Sequence, residues 1–274
     1  MPIRQFRLRD DYGNSQFGGG GGGVSVLTPN PRGIMDFDGV NDYLERDGGF
    51  TGVSDSGNFF FSMFGKLTGG DGSWMGIVGD SGANYVYIAR SAINLIQIHF
   101  QGYLGAIWIN GTVGPTVSSG WWHLAVSASL GTATQKIQIR FNDVEISTPP
   151  FLGTWDPSGD VINYTSAFNW LVGSILPSGD RFQGMMSEIY MNMGGAFIDL
   201  DITANRRKFL RSNGTPAVLG ATGEKPTGTP PTLYLSTTSG GTTADFRTNK
   251  GSGGGMFEVG ALTSVFQDIV VPMP

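Results

Sequence analysis

The sequence has no cysteine, so its 274 residues hold neither a disulfide framework nor a thiolate metal site. Histidine is nearly absent too. His99 and His123 sit in the apolar stretches NLIQIHF and GWWHLAV, where a histidine satisfied within a sheet outweighs a catalytic base. Charged residues make up only 14% of the chain, with a net charge of −5. The one basic cluster, Arg206-Arg207-Lys208 with Arg211, is local. Nothing here would neutralise a run of phosphates, which excludes nucleic acid as a partner. No apolar run approaches the length of a membrane span, so no membrane insertion is expected. The opening MPIRQFRLRDD has no apolar h-region, and synthesis in a cytoplasm is the expectation.

What is abundant is glycine, 44 residues or roughly twice the ordinary share, together with 18 Phe, 8 Tyr and 6 Trp. Low charge with many aromatics reads as short strands joined by glycine-rich turns. NFFFSMFGKL (58–67) is almost continuously apolar, as a strand covered on both faces would be. GSWMGIVGD, ANYVYIAR, NLIQIHF and GAIWIN follow at short spacing. GWWHLAVSAS puts Trp122, Leu124 and Val126 on one face, and Trp121, His123 and Ala125 on the other. In QKIQIRF, Ile137, Ile139 and Phe141 point inward while Gln138 and Arg140 point outward, and Asn142-Asp143 makes a tight hairpin turn into VEIST. AFNWLVGS, RFQGMMSEIYMNM and PTLYLS supply further strands. Ten or more strands with regular turn signals predict an all-β, two-sheet antiparallel sandwich. A single helix is expected near Asn205–Arg211, capped by Asp201 or Thr203 and stopped by Asn213-Gly214.

Three segments are read along the chain: an arm over 1–33, a sandwich over 34–200, and an extension over 201–274 that packs on the sandwich or on a neighbouring subunit. In the arm, Ile3, Phe6 and Leu8 precede the glycine run Gly18–Gly23; near the end, Ile269, Val270 and Val271 follow Gly253–Gly255. Glycine runs read as flexible linkers, GSGGGMF included. Apolar residues carried beyond such tethers are expected to be assembly contacts, which favours a homo-oligomer.

Three stretches in order resemble the laminin-G-like branch of the concanavalin-type (lectin and glucanase) jelly rolls: MDFDGVNDYLE, WWHLAVSASLGTATQKIQIRFNDVEI and NWLVGSILPSGDRFQGMMSEIYMNM, together spanning roughly residues 34–193. They are similar to the family's F-D-G-x-x-D-Y pair, its W-H-H-V-A-V strand with hairpin, and its closing I-G…F-x-G-x-I-D-E strand. Trp122, Asn142-Asp143 and Ser187 depart from that pattern. The resemblance implies a jelly roll in which Phe37, Val40, Tyr43 and Leu44 are framework. The region ANRRKFLRSNG…FRTNKGSGGGMFEVGALT looks like the tail following this jelly roll in structural proteins of tailed phages. That implies a virion protein assembled in a host cytoplasm, with other virion proteins as partners.

Five carboxylates fall within GIMDFDGVNDYLERD. Asp38-Gly39 reads as a turn between strands; the other reading gives Asp36, Asp38 and Asp42 to calcium, although the twelve-residue loop with a terminal bidentate glutamate is absent. No other cofactor is indicated. Glucanases of this fold carry E-x-D-x-x-E on one strand; here Glu188 stands alone, so a non-catalytic protein is expected. Pro-Ser-Gly-Asp occurs twice, in WDPSGD and LPSGDRF. Each is a turn signal. The functional alternative is a carbohydrate site at the sandwich rim: Trp155 would stack on a sugar, Asp160 or Asp180 would accept its hydroxyls, and Arg181 would stand beside them. Trp108 and Trp74 are further aromatic candidates, expected in the core rather than facing a ligand. The combined expectation is a virion structural protein, in tail, fibre or capsid appendage, that can contact bacterial surface polysaccharide; a dedicated glycan-binding adhesin is the alternative.

Overall fold

The computed structural model describes residues 32–80, 86–102, 105–131, 135–146, 161–165, 169–176, 179–237 and 242–274, and the backbone of 152–154. Ile3, Phe6, Leu8, Gly18–Gly23, Trp155 and Asp160 lie outside the described residues.

In chain order the strands begin with β1 (Arg32–Asp38), β2 (Tyr43–Arg46), β3 (Asn58–Leu67), β4 (Met75–Asp80), β5 (Tyr87–Arg90), β6 (Ile96–Gln101), β7 (Ala106–Asn110) and β8 (Trp122–Ser129). They continue with β9 (Lys136–Phe141), β10 (Val144–Glu145), β11 (Leu152–Thr154), β12 (Trp170–Val172), β13 (Gln183–Met193), β14 (Leu233–Leu235), β15 (Phe257–Val259) and β16 (Thr263–Gln267). Two antiparallel sheets form. The first runs β10-β9-β8-β3-β13-β1-β16, with β14 also on β13; the second runs β11-β7-β6-β5-β4-β12-β2-β15. This is a jelly-roll sandwich. Its core fills the space between the sheets with inward residues such as Phe37, Phe61, Trp122, Ile98, Ile109 and Trp170. The Asn142-Asp143 turn is built as expected, with φ of 49° and 69° at its two residues.

The two outer faces differ. That of the first sheet is covered by the chain after β13. Phe60, Ala125, Tyr190 and its strand partner Tyr234 pack under Ile198, Leu200 and Phe209, while Ile34, Phe64 and Trp121 pack under Leu210, Ile269 and Val271. Phe60 and Phe209 rings lie 4.6 Å apart. This explains why β3 is apolar on both faces. It also changes the outward residues of β9: Gln138 is buried, its carbonyl accepting from Leu200 N at 2.7 Å and its amide donating to Asp199 Oδ1 at 3.0 Å.

The extension is thus part of the sandwich. β16 pairs with β1 at the edge of the first sheet and β15 with β2 at the edge of the second. Four expectations are corrected. GSGGGMF is a tightly seated segment, not a loose linker: Gly253 N donates to Thr232 O at 2.9 Å, and a Cβ there would lie 2.6 Å from Thr232 O and 2.7 Å from Phe50 Cδ1. Ile269 and Val271, expected as assembly residues, are buried against their own chain, and only Val270 is half exposed. The expected single helix is shorter and has company. Helix α1 covers Thr203–Arg206; Ile202 at its N-cap has no polar side chain to cap it, and Arg206 and Arg207 reach Asp143 of the β9–β10 hairpin at 2.5 and 2.7 Å. Helix α2 (Thr243–Arg247) opens with a Thr242/Asp245 capping box. Finally, Val40 is not framework: it is 74% exposed at the tip of the β1–β2 turn.

Candidate functional site

On the outer face of the second sheet the register aligns one side chain from each of three neighbouring strands. Tyr87 of β5 pairs with His99 of β6, and His99 pairs with Trp108 of β7. Strand alternation turns their neighbours Ile88, Ile98 and Ile109 into the core and leaves this row on the open face. His99 and Trp108 stack with centroids 4.5 Å apart and planes 17° from parallel, and Tyr87 leans on His99 at 5.3 Å. His99 is buried beneath the row, whereas Trp108 is 44% exposed. The expectation that Trp108 and Trp74 lie in the core is corrected. Both are partly exposed and line a cleft of about 470 Å³ with Tyr87, His99, Ile175, Leu176 and Asp180.

Two loops form the walls. Residues 173–176 lie across β4, where Gly79, next in the row beside Tyr87, leaves room for Ile175. A Cβ on Gly76 would lie 2.8 Å from Ser174 Cα and closer still to Ile175 N, so this approach requires glycine. The Ser174 hydroxyl organises the loop, meeting Leu176 O at 2.6 Å and Gly179 O at 2.9 Å and accepting from Arg181 Nη1 at 2.8 Å. The turn ends on Asp180, at φ 53°, whose carbonyl accepts from Gly76 N at 2.6 Å. Opposite, the loop preceding Trp74 is held by the buried guanidinium of Arg90, which donates to Gly70 O, to Ser73 O at 3.0 Å and to Asp71 Oδ1 at 3.3 Å. Burial lowers the pKa of Arg90, and Asp71 opposes that shift. Burial, with the Asp180 charge adding to it, raises that of Tyr87, so its hydroxyl stays a neutral donor and acceptor.

Among the carbohydrate candidates, Asp180 lines this cleft, while Trp155 and Asp160 lie outside the described residues. Arg181 does not face it: its guanidinium lies 4.1 Å over the Tyr43 ring. The sequence carried a signal for the cleft in the alternation of AIWIN, where Trp108 is opposite in phase to Ile107 and Ile109.

The acidic turn is built from its own backbone. Asp38 Oδ1 accepts from Val40 N at 2.7 Å and Asn41 N at 3.1 Å, and Asp42 Oδ1 accepts from Ala261 N at 2.7 Å. Burial acts to raise the Asp38 pKa, but the amides of Val40, Asn41 and Asp42 outweigh it and lower it. Burial, then the neighbouring Asp42 and Asp38, raises that of Asp36. Among the described residues no three Asp, Glu or His side chains gather as a metal-holding group. Glu188 lies on the other sheet, buried beneath the extension at a bulge of β13, and accepts from Ser236 Oγ at 2.7 Å and Tyr234 Oη at 2.9 Å.

No family model matches the chain, and no curated protein is significantly similar to it in sequence. Among solved structures it is similar to a native heptameric SAP-like pentraxin from Limulus polyphemus, at 10% identity and a TM-score of 0.36 over 58% of this chain and 75% of that one. It is also similar to a structure of botulinum neurotoxin type C, a toxin whose passage into cells depends on interaction with two ganglioside molecules. That match has 13% identity and a TM-score of 0.38 over 63% of this chain, and spans 44% of the toxin chain, less than half its length. Both likenesses are remote. The fold stands on the strand pairing itself, and function is read from the side chains.

Proposed function

We propose that this protein is a non-catalytic glycan-binding jelly roll that recognises saccharide in the cleft on its second sheet. The observation that carries this reading is the half-exposed Trp108 ring, held flat on His99 and facing an open cleft with Asp180 on its far wall. An indole presents a broad apolar face that matches the C–H face of a pyranose. A rigid stack under it means that little side-chain freedom is lost on binding. The carboxylate of Asp180 and the phenol of Tyr87 supply the few polar groups that fix orientation. The adjoining row places Gln97 opposite Asn110 on the same face, adding amides for hydroxyls.

Absence of catalysis is part of the proposal. A glycosidase pair needs two carboxyls roughly 5–10 Å apart across the scissile bond. Asp180 is the one carboxylate among the described residues lining the cleft, and Glu188 is buried on the opposite sheet. The setting we propose, a virion structural protein assembled with other virion proteins, is supported by the sequence resemblance of the C-terminal region alone. Titration calorimetry against a panel of bacterial surface polysaccharides tests the binding. Saccharide should bind the full chain, Trp108→Ala should weaken binding at least tenfold, and no reducing ends should be released. Binding that survives Trp108→Ala unchanged removes the proposed site.

A further inference from the structure

The charges around the cleft are one-sided. Its described lining holds three aromatic side chains, Trp74, Tyr87 and Trp108, besides the buried His99, and one carboxylate, Asp180; no lysine or arginine is among them. The nearest cation in sequence, Arg181, is turned onto Tyr43 and Ser174. Arg90, behind the Trp74 loop, has its charge met by Asp71 and by two backbone carbonyls. The internal segments outside the described residues contain no lysine or arginine at all (81–85, 103–104, 132–134, 147–151, 155–160, 166–168, 177–178 and 238–241). Among the described residues, an acidic saccharide entering the cleft would therefore meet like charge and no cation of the lining. An ammonium group would meet aromatic π faces, whose quadrupole attracts cations, and a carboxylate.

We infer, resting on the glycan reading of this cleft, that its ligand is a cationic saccharide, one carrying a free amino sugar such as glucosamine, with the ammonium between Asp180 and the Trp108 and Tyr87 rings. The same surface that stacks a sugar supplies the charge selection, so the amino group adds affinity without a further subsite. Attraction of this kind weakens with added salt where it is solvent-exposed.

The test uses the full chain at pH 6 and follows tryptophan fluorescence against four probes: a glucosamine tetramer, its N-acetylated counterpart, a galacturonic acid tetramer and tetramethylammonium chloride. The glucosamine tetramer should bind at least about tenfold tighter than the acetylated one, a difference of about 1.4 kcal/mol, and the galacturonate weakest. Asp180→Asn, which keeps a residue tolerant of the positive φ, should erase that preference, so that the glucosamine tetramer and the acetylated one bind the variant within about twofold of each other. Equal binding of the three tetramers, or a preference that survives Asp180→Asn, overturns the cation selectivity and leaves glycan binding standing. Asp180-dependent binding of tetramethylammonium with no binding of any tetramer upholds the cation selectivity and sinks the saccharide. Silence of all four probes overturns both.

Discussion

Glu188 accepts a hydrogen bond from the Tyr234 phenol at 2.9 Å, on the face of the first sheet turned away from the core. The pair joins the bulge of β13 to β14, with Ser236 at 2.7 Å and Arg32 of β1 at 3.4 Å completing the contacts. Burial, then the Glu188 charge, pushes the Tyr234 phenol well above its usual range, so it remains a donor at every physiological pH. Tyr234→Phe should cost about 1.5–3 kcal/mol, the range for a hydrogen bond to a charged group. Glu188→Ala should cost more, because it strands two hydroxyls and the Arg32 cation. Urea unfolding at pH 7 measures both, and a Glu188→Ala variant as stable as the parent would count against this lock.

A second prediction concerns acid. His123 is buried under the extension, with Nε2 2.9 Å from Ser62 Oγ. Burial lowers its pKa to about 3, with Asp143 pulling the other way and Arg207 adding to the fall. The unfolded chain takes up this proton near pH 6.5 and the folded one does not. Stability is therefore fully present above pH 6.5 and falls by about 1.4 kcal/mol per pH unit on the way down to the folded pKa. Asp143 adds to the loss at lower pH: burial acts to raise its pKa, but hydrogen bonds from Arg207 and Arg206 prevail and lower it. Chemical unfolding at pH 7, 6 and 5 should show the slope, and His123→Leu should flatten it.

The cleft wall depends on one close backbone approach. Gly76→Ala should push residues 174–176 off β4, cost more than 1 kcal/mol as an overpacked site does, and weaken saccharide binding. Gly255→Ala, with open space around its Cβ, is the control. It should change stability by less than about 0.5 kcal/mol and leave binding intact. Differential scanning fluorimetry with and without saccharide reads both.

The two ends of the chain should behave oppositely. Removing residues 256–274 takes away one edge strand of each sheet and the buried Leu262, Ile269 and Val271, each worth about 1.5–3 kcal/mol. The product should be insoluble or unfolded by circular dichroism. Removing residues 1–23, with Ile3, Phe6 and Leu8, should leave a folded, soluble protein that no longer self-associates in sedimentation. A truncation that still associates would take the arm out of assembly.

Alternation and turn chemistry in the sequence determined the sandwich. KIQIRF could only be a strand with Ile137 and Ile139 inward, and Asn142-Asp143 could only be a tight turn between two strands, because few other residues accept two successive positive φ values. What the sequence could not say is which outer face stays open. WHLAVSAS and AIWIN carry the same two-residue period, yet both faces of β8 are buried while Trp108 and Asn110 on β7 are exposed. The difference lies in where the chain after β13 returns. It crosses the first sheet, covering Phe60 and Tyr190, and sends only β15 to the edge of the second. Local pattern fixes the phase of a strand and says nothing of what a distant segment will cover. So Trp108, core-like by composition, became the exposed floor of a cleft, and Ile269 and Val271, tail-like by position, became core.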